Sequence, residues 1–212
     1  MRKSKLKKVS VFKQFFLAHI NIYVFLSILF LIGLIVGCVQ SAFLGDQART
    51  ESYNYILTFL DAFKTKQINI DVLFQEFLIS NLKPAFWLWL FGLWIIGIPL
   101  ICVYIVFEGY SLGFAISIIL NSLGSGKGSI FLGVSLIPQE LILVPVFITL
   151  GVNSILFANA VWHRKSRNIS IKFDIYRYIF LFIISVAILI AVAVIETYVQ
   201  VPLIKMTISS LT

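Results

Sequence analysis

The chain has 212 residues, of which 60% are hydrophobic and 12% charged, and its mean hydropathy is +1.01. Soluble domains hold about 45–50% apolar and about 25% charged residues, so the composition excludes a soluble globule and indicates an integral membrane protein. A formal net charge of +8 would suggest nucleic acid in a soluble domain, but the basic residues cluster where a membrane surface needs them, and no nucleic-acid partner is expected.

Arg2, Lys3, Lys5, Lys7, Lys8 and Lys13 crowd the first stretch, residues 1–19. Such lysines favour anionic lipid headgroups by about 1 kcal/mol each near the surface. The apolar run 20–39 that follows is longer than the roughly 7–15 residues of a signal-peptide core, and no convincing small-x-small cleavage site precedes Gln40, so it is predicted to be an uncleaved first span.

Residues 40–83 form the widest gap between spans, 44 residues, below the size at which a domain usually folds unaided. Within it Ile70, Leu73, Phe74, Phe77 and Leu78 recur at i, i+3, i+4, i+7 and i+8, which predicts an amphipathic helix with Asn69 as its N-cap and Pro84 opening the next span. Tyr53 to Phe63 reads as a shorter companion. Such a helix lies on the outer leaflet or against the bundle, or docks an external partner. Phe63, Ile70, Phe74 and Phe77 are the candidate partner-binding residues.

A second span is predicted over 84–107 and a third over 109–123, with Glu108 next to Gly109 making a tight hairpin on the cytoplasmic side. Gly109 and Gly113 give a flat face for close packing. The same spacing in the first span, Gly33 and Gly37, suits either an oligomer contact or an intramolecular one. The fourth segment, 129–162, holds 34 residues, about 51 Å as one helix against about 30 Å of hydrocarbon. Pro138 and Pro145 lie inside it, so the expectation is a first arm through Leu136, a break around Pro138 to Glu140, and a second arm that completes the crossing. Gln139 and Glu140 are the polar groups nearest the freed carbonyls.

Arg164, Lys165, Arg167, Lys172 and Arg177 fill the connection 163–177 before a last span over 178–201 and a short tail, 202–212. With five crossings, eleven of the 17 Lys and Arg fall on one side, which places the N-terminus in the cytoplasm and the C-terminus outside. Phe86, Trp87 and Trp89 would mark the outer interface, and Trp162, Tyr176 and Tyr178 the inner one. The predicted fold is therefore all-α: a single polytopic bundle of about five transmembrane helices, with an amphipathic outer loop and a proline-broken fourth helix.

The chemical inventory is thin. Cys38 and Cys102 lie in apolar runs, and His19 and His163 are far apart without ligand spacing, so neither a metal nor another cofactor is expected. Glycines around Lys127 fail as a phosphate loop, because Asn121 stands where glycine is needed and Gly128 where serine or threonine is. No nucleophile–base pair or paired-histidine motif is present, and the chain is not expected to be an enzyme. Glu108, Glu140 and Glu196 are the carboxyls at membrane depth, where an ionised Asp costs about 2.5–3.5 kcal/mol at a helix centre, and such residues are functional candidates by default. Glu140 is expected either to staple the proline break, donating a hydrogen bond in its neutral form, or to serve a transported ion or proton. Glu196, nearer the end of its span, is expected to reach headgroups or Lys205.

The run Phe107-Glu108-Gly109-Tyr110-Ser111-Leu112-Gly113-Phe114, followed by Leu136-Ile137-Pro138-Gln139-Glu140 and Pro145-Val146-Phe147, resembles the bacterial stage II sporulation protein M family. The likeness covers essentially the whole chain. The resemblance implies a scaffold in the mother-cell membrane during endospore engulfment, localising the peptidoglycan-degrading stage II sporulation proteins P and D at the septum. The rival class is a subunit of a transporter or channel built on the broken helix and Glu140, for which a homo-oligomer would enclose the path. Five spans offer no inverted repeat.

Overall fold

The computed structural model describes residues 19–65, 69–165 and 172–211, and every regular element among them is helical. In chain order these are α1 (Ile20–Ala42), α2 (Asp46–Thr65), α3 (Ile70–Phe91), α4 (Gly97–Leu123), α5 (Ser125–Ser135), α6 (Ile137–Lys165), α7 (Lys172–Ile195), a π turn (Glu196–Gln200) and α8 (Val201–Leu211). The membrane bundle expected from the sequence is present. Most of the expected basic N-terminus, residues 1–18, and Arg167 in the last connection lie outside the described residues.

Among the described residues, four helical stretches are long and apolar enough to cross a membrane: Ile20–Ser41, Gly97–Leu123, Ile137–His163 and Lys172–Thr207. The predicted spans at 84–107 and 109–123 are redrawn. Glu108 and Gly109 sit in the middle of one continuous helix, α4, so the hairpin between them does not exist. Pro84 likewise opens nothing; it lies inside α3. The chain turns instead at Gly92 to Ile96, where Gly97 is pressed so close to the Phe91 backbone that a side chain would overlap the Phe91 carbonyl. A fifth rod, α3, thus replaces the expected second span. It starts where the periodicity predicts, with the Asn69 side chain accepting a hydrogen bond from the Asp71 backbone N–H at 3.1 Å, and Asp71 suits the positive end of the helix dipole. Glu76, Asn81 and Lys83 give α3 the mixed character that keeps it out of the apolar set.

Side-chain pairs fix the direction of each rod. Ser41 on α1 meets Ser117 on α4, and the Cys38 thiol donates to the Gly113 carbonyl at 3.3 Å, so positions rise together and the two helices are parallel. Asn81 meets Glu196 while Trp89 meets Tyr178, so α3 is antiparallel to α7. Tyr178 also contacts Ser154 and Phe157, near the far end of α6, which is therefore antiparallel to α7 as well. Hence α1, α4 and α7 point one way, and α3 and α6 the other.

Glycine makes the α1–α4 contact possible. A side chain at Gly33 or Gly37 would overlap the carbonyl of Val106 or Tyr110, and one at Gly109 or Gly113 the carbonyl of Phe30 or Leu34. The two glycine pairs are thus partners of each other within one chain, which settles the alternative left open for Gly33 and Gly37. Without Cβ atoms the backbones approach to van der Waals distance, the main source of helix attraction where lipid is as apolar as the side chains. Leu26, Leu88, Ile101, Leu150 and Leu189, from five different rods, then fill the common core.

At the end where α3 turns into α4, Tyr178 is buried rather than placed at the headgroups. Its ring stacks on Phe157 at a centroid distance of 4.1 Å, its hydroxyl donates to the Trp89 carbonyl, and the Asn153 amide donates to its carbonyl at 3.4 Å. Trp89 consequently lies at the same end as Tyr178, not at the opposite interface; Trp162 and Tyr176 are exposed as expected of interfacial rings. Tyr178→Phe is expected to lower stability by about 1 kcal/mol, the worth of one satisfied hydrogen bond, read as a lowered thermal midpoint in detergent micelles with helicity unchanged.

The short helices gather at the other end. Phe131 of α5 packs on Ile204 of α8, and Ile56 of α2 faces a groove shared with Phe114, Ile118 and Phe131.

Candidate functional site

Polar side chains from three rods converge on a cavity of about 310 Å³ inside the bundle. α3 contributes Ser80 and Asn81; Pro84 has no N–H to give the Ser80 carbonyl, so backbone polarity is freed on this same wall. From α4 come Glu108 and Ser111, three residues apart and so on one helix face. Gln139 and Glu140 enter from the first turn of α6, where the helix dipole favours an acidic group. Phe30, Leu143 and Phe147 supply apolar wall. Tyr104 precedes Glu108 by four residues and so shares its helix face, and Gln139 adjoins Glu140 at the start of α6. From Gly97 to Glu108 is about 16 Å at the helical rise of about 1.5 Å per residue, close to the middle of a hydrocarbon layer about 30 Å thick.

A second, smaller cavity of about 80 Å³ adjoins the first through Gln139, which lines both; Pro138, Glu196 and Gln200 complete its lining with apolar neighbours. Glu196 was expected among headgroups or beside Lys205. It is only 2% exposed, because the helix does not end there: the π turn carries the chain on into α8. The Asn81 amide donates to Glu196 Oε2 at 2.8 Å. Glu196 Oε1 has no hydrogen-bond partner among the described residues. A π turn widens the helix by one residue per bond and recurs at functional positions.

The break in the fourth segment falls at Leu136, two residues before Pro138, so that Pro138 occupies the first turn of α6 and Pro145 lies inside it. An early-turn proline sacrifices no obligatory helix bond, which is why the interruption precedes it. The expected staple is also reassigned. The Gln200 amide, not the side chain of Gln139 or Glu140, takes the Ser135 carbonyl at the end of α5, leaving Gln139 and Glu140 free to face the cavity.

Of the residues singled out from the sequence, Glu108, Gln139 and Glu140 come together at the large cavity and Pro138 at the small one. Gly109 and Gly113 face the α1 backbone, and Pro145 lines a separate groove against Ile20 and Tyr23. Ile70 is exposed, Phe74 and Phe77 are half-buried, and the Phe63 side chain lies outside the described residues. Asn81, Ser111 and the burial of Glu196 went unforeseen. The signal for Asn81 was an amide three residues before a proline, masked by the polar neighbours Ser80 and Lys83. Among the described residues no group of three or more His, Cys, Asp or Glu could hold a metal ion.

A family model described as stage II sporulation protein M matches residues 26–200. The chain belongs to that family. The matched region reaches from within α1 through the π turn, so most of α1, the other four rods entire and all three membrane-depth glutamates of this stage II sporulation protein M family member fall inside it. Both runs that carried the resemblance, Phe107 to Phe114 and Leu136 to Phe147, fall there too. No curated protein and no solved structure matches the chain. Membership together with four long apolar helices makes it a membrane protein of a sporulation family.

Proposed function

We propose that this family member is a non-enzymatic scaffold in the engulfing mother-cell membrane, holding the peptidoglycan-degrading stage II sporulation proteins P and D at the septum. The observation that carries the reading is the platform at one end of the bundle, where α2 and α5 both pack against α8 and α4. Family membership supports the cellular setting, and the sequence offers no hydrolytic constellation of its own.

In this reading the platform faces outward, toward the wall, and the N-terminus lies in the cytoplasm. The parallel course of α1, α4 and α7 supports it: with five rods the start of α1, the end of α6 at Lys165 and the start of α7 at Lys172 share the end opposite the platform. The positive-inside rule assigns that end to the cytoplasm.

Single cysteines at Phe63, Ile70, Phe74 and Gly126, the last with open space around it, test the proposal by crosslinking in sporulating cells. Capture of wall hydrolases at Gly126 or Phe74, and none at Val103 in α4, is the expected pattern. Capture of non-hydrolase proteins alone, or a cytosolic tag after Thr212, would overturn it. The cavity at Glu140 favours a second reading, a transporter or channel subunit. Glu140→Gln separates the two: under the scaffold reading it leaves hydrolase recruitment intact, whereas lost ion flux in proteoliposomes would support transport.

A further inference from the structure

One face of α3 carries a charge where the bilayer is driest. Ile79, Lys83 and Phe86, spaced by four and three residues, share that face, and all three are exposed. Lys83 stands eight residues from the end of α3 at Phe91 and thirteen from its start at Ile70, about 12 Å and about 20 Å along the helix. Those distances put it near the middle of a hydrocarbon layer about 30 Å thick. Its neighbours Asn81 and Pro84 agree, since both line the mid-membrane cavity. No ion pair reaches Lys83 among the described residues. Lipid accepts Ile79 and Phe86, but an ammonium group between them is costly, and charges at this depth face protein or water and pair. The surface that covers α3 must therefore be protein offering negative charge at the same height.

We propose that a second copy of the chain covers this face, each copy seating its Lys83 in the lateral mouth of the other's cavity. Copies related by a twofold axis along the membrane normal hold equivalent residues at equal depth, and such a contact is made twice. The charges are complementary across it. Glu108 and Glu140 line the cavity, and no Lys, Arg or His does. Ser80 and Ser111 line the cavity and are also exposed, so it opens sideways between α3 and α4, one turn from Lys83. Lys83 lines no part of its own chain's cavity. The apolar wall, with Leu143 and Phe147, suits the four-carbon stem of a lysine whose charged head reaches the carboxyls beyond.

The inference rests on membrane embedding and not on the scaffold reading. Its test uses the full chain, labelled on an N-terminal tag and reconstituted in liposomes over a range of protein-to-lipid ratios, with energy transfer between copies as the readout. Saturable transfer with dimer stoichiometry is expected. Lys83→Met keeps the length of the side chain and removes only a lipid-facing charge, so helicity and thermal midpoint should hold while association weakens at least about tenfold. Lys83→Glu should weaken it further, and adding Glu140→Lys to that chain should restore much of the loss by exchanging the charges. Three results would overturn the proposal: copies that stay monomeric at every density, association untouched by Lys83→Met, which would mean that the lysine only snorkels to headgroups, or no recovery in the charge-exchanged chain when its fold is intact.

Discussion

Gly113→Leu and Gly37→Leu should be the most damaging single substitutions in the bundle, each costing about 3 kcal/mol or more. Overpacking a core costs about 1–3 kcal/mol when neighbouring side chains can shift. Here the atoms in the way are the Leu34 and Tyr110 carbonyls of the opposite helix, which move only if α1 and α4 separate along their length. Separation would also break the Ser41–Ser117 and Cys38–Gly113 contacts. Gly133 and Gly45 supply controls, because nothing lies within 4 Å of a side chain added at either. Leucine at these positions should be neutral within about 0.5 kcal/mol, as for ordinary surface changes. Denaturant titration in mixed micelles reads the difference, and a Gly113→Leu protein as stable as Gly133→Leu would refute the glycine seam.

The second large effect concerns Asn81. Asn81→Leu removes the donor to Glu196 Oε2, leaving a buried carboxyl with neither oxygen paired by a described residue. Hydrogen bonds between membrane helices average only about 0.6 kcal/mol, but orphaning a buried polar group costs about 1–3 kcal/mol, more if it is charged. The orphaning dominates, so a loss of about 2 kcal/mol is expected. Asn81→Leu combined with Glu196→Leu should cost less than the two changes added together, because the second removes the group that the first strands. Strict additivity in that cycle would mean that the pair contributes no coupling.

The Asn69 cap and a break near Pro138 were legible because each is a local signal with one physical meaning, and the glycine spacing announced close packing without choosing between an oligomer and an intramolecular partner. The path between α3 and α4 was not. It turns through Gly92, Leu93, Trp94, Ile95 and Ile96, with no polar residue to mark the corner, whereas Glu108-Gly109 carries the polar signature of a turn while lying in mid-helix. Only Gly92, Gly97 and Pro99, flanking the true corner, hinted at it. Glu196 misled for a related reason. Its distance from the end of the apolar run suggested headgroups, yet position along a run does not say which face the bundle covers, and Asn81 lies 115 residues earlier. Glu108, Gln139 and Glu140 were foreseen as separate candidates. Their meeting is a property of three rods whose order in space no single stretch encodes.

The parallel pairing of α1 with α4 has a consequence for biogenesis. Helices adjacent in a nascent chain usually pair as antiparallel neighbours, but the partner of α1 is complete only at Leu123, roughly 80 residues after α1 itself ends. At synthesis rates of about 5–20 residues per second, the newborn first helix waits in the bilayer for some 4–16 seconds with its small-residue stripe unmatched. During that interval the stripe is free to zip onto a sister polypeptide or to be shielded by an insertase. The cell's supply of correctly assembled protein thus depends on a kinetic contest that is over before the last helix has been translated.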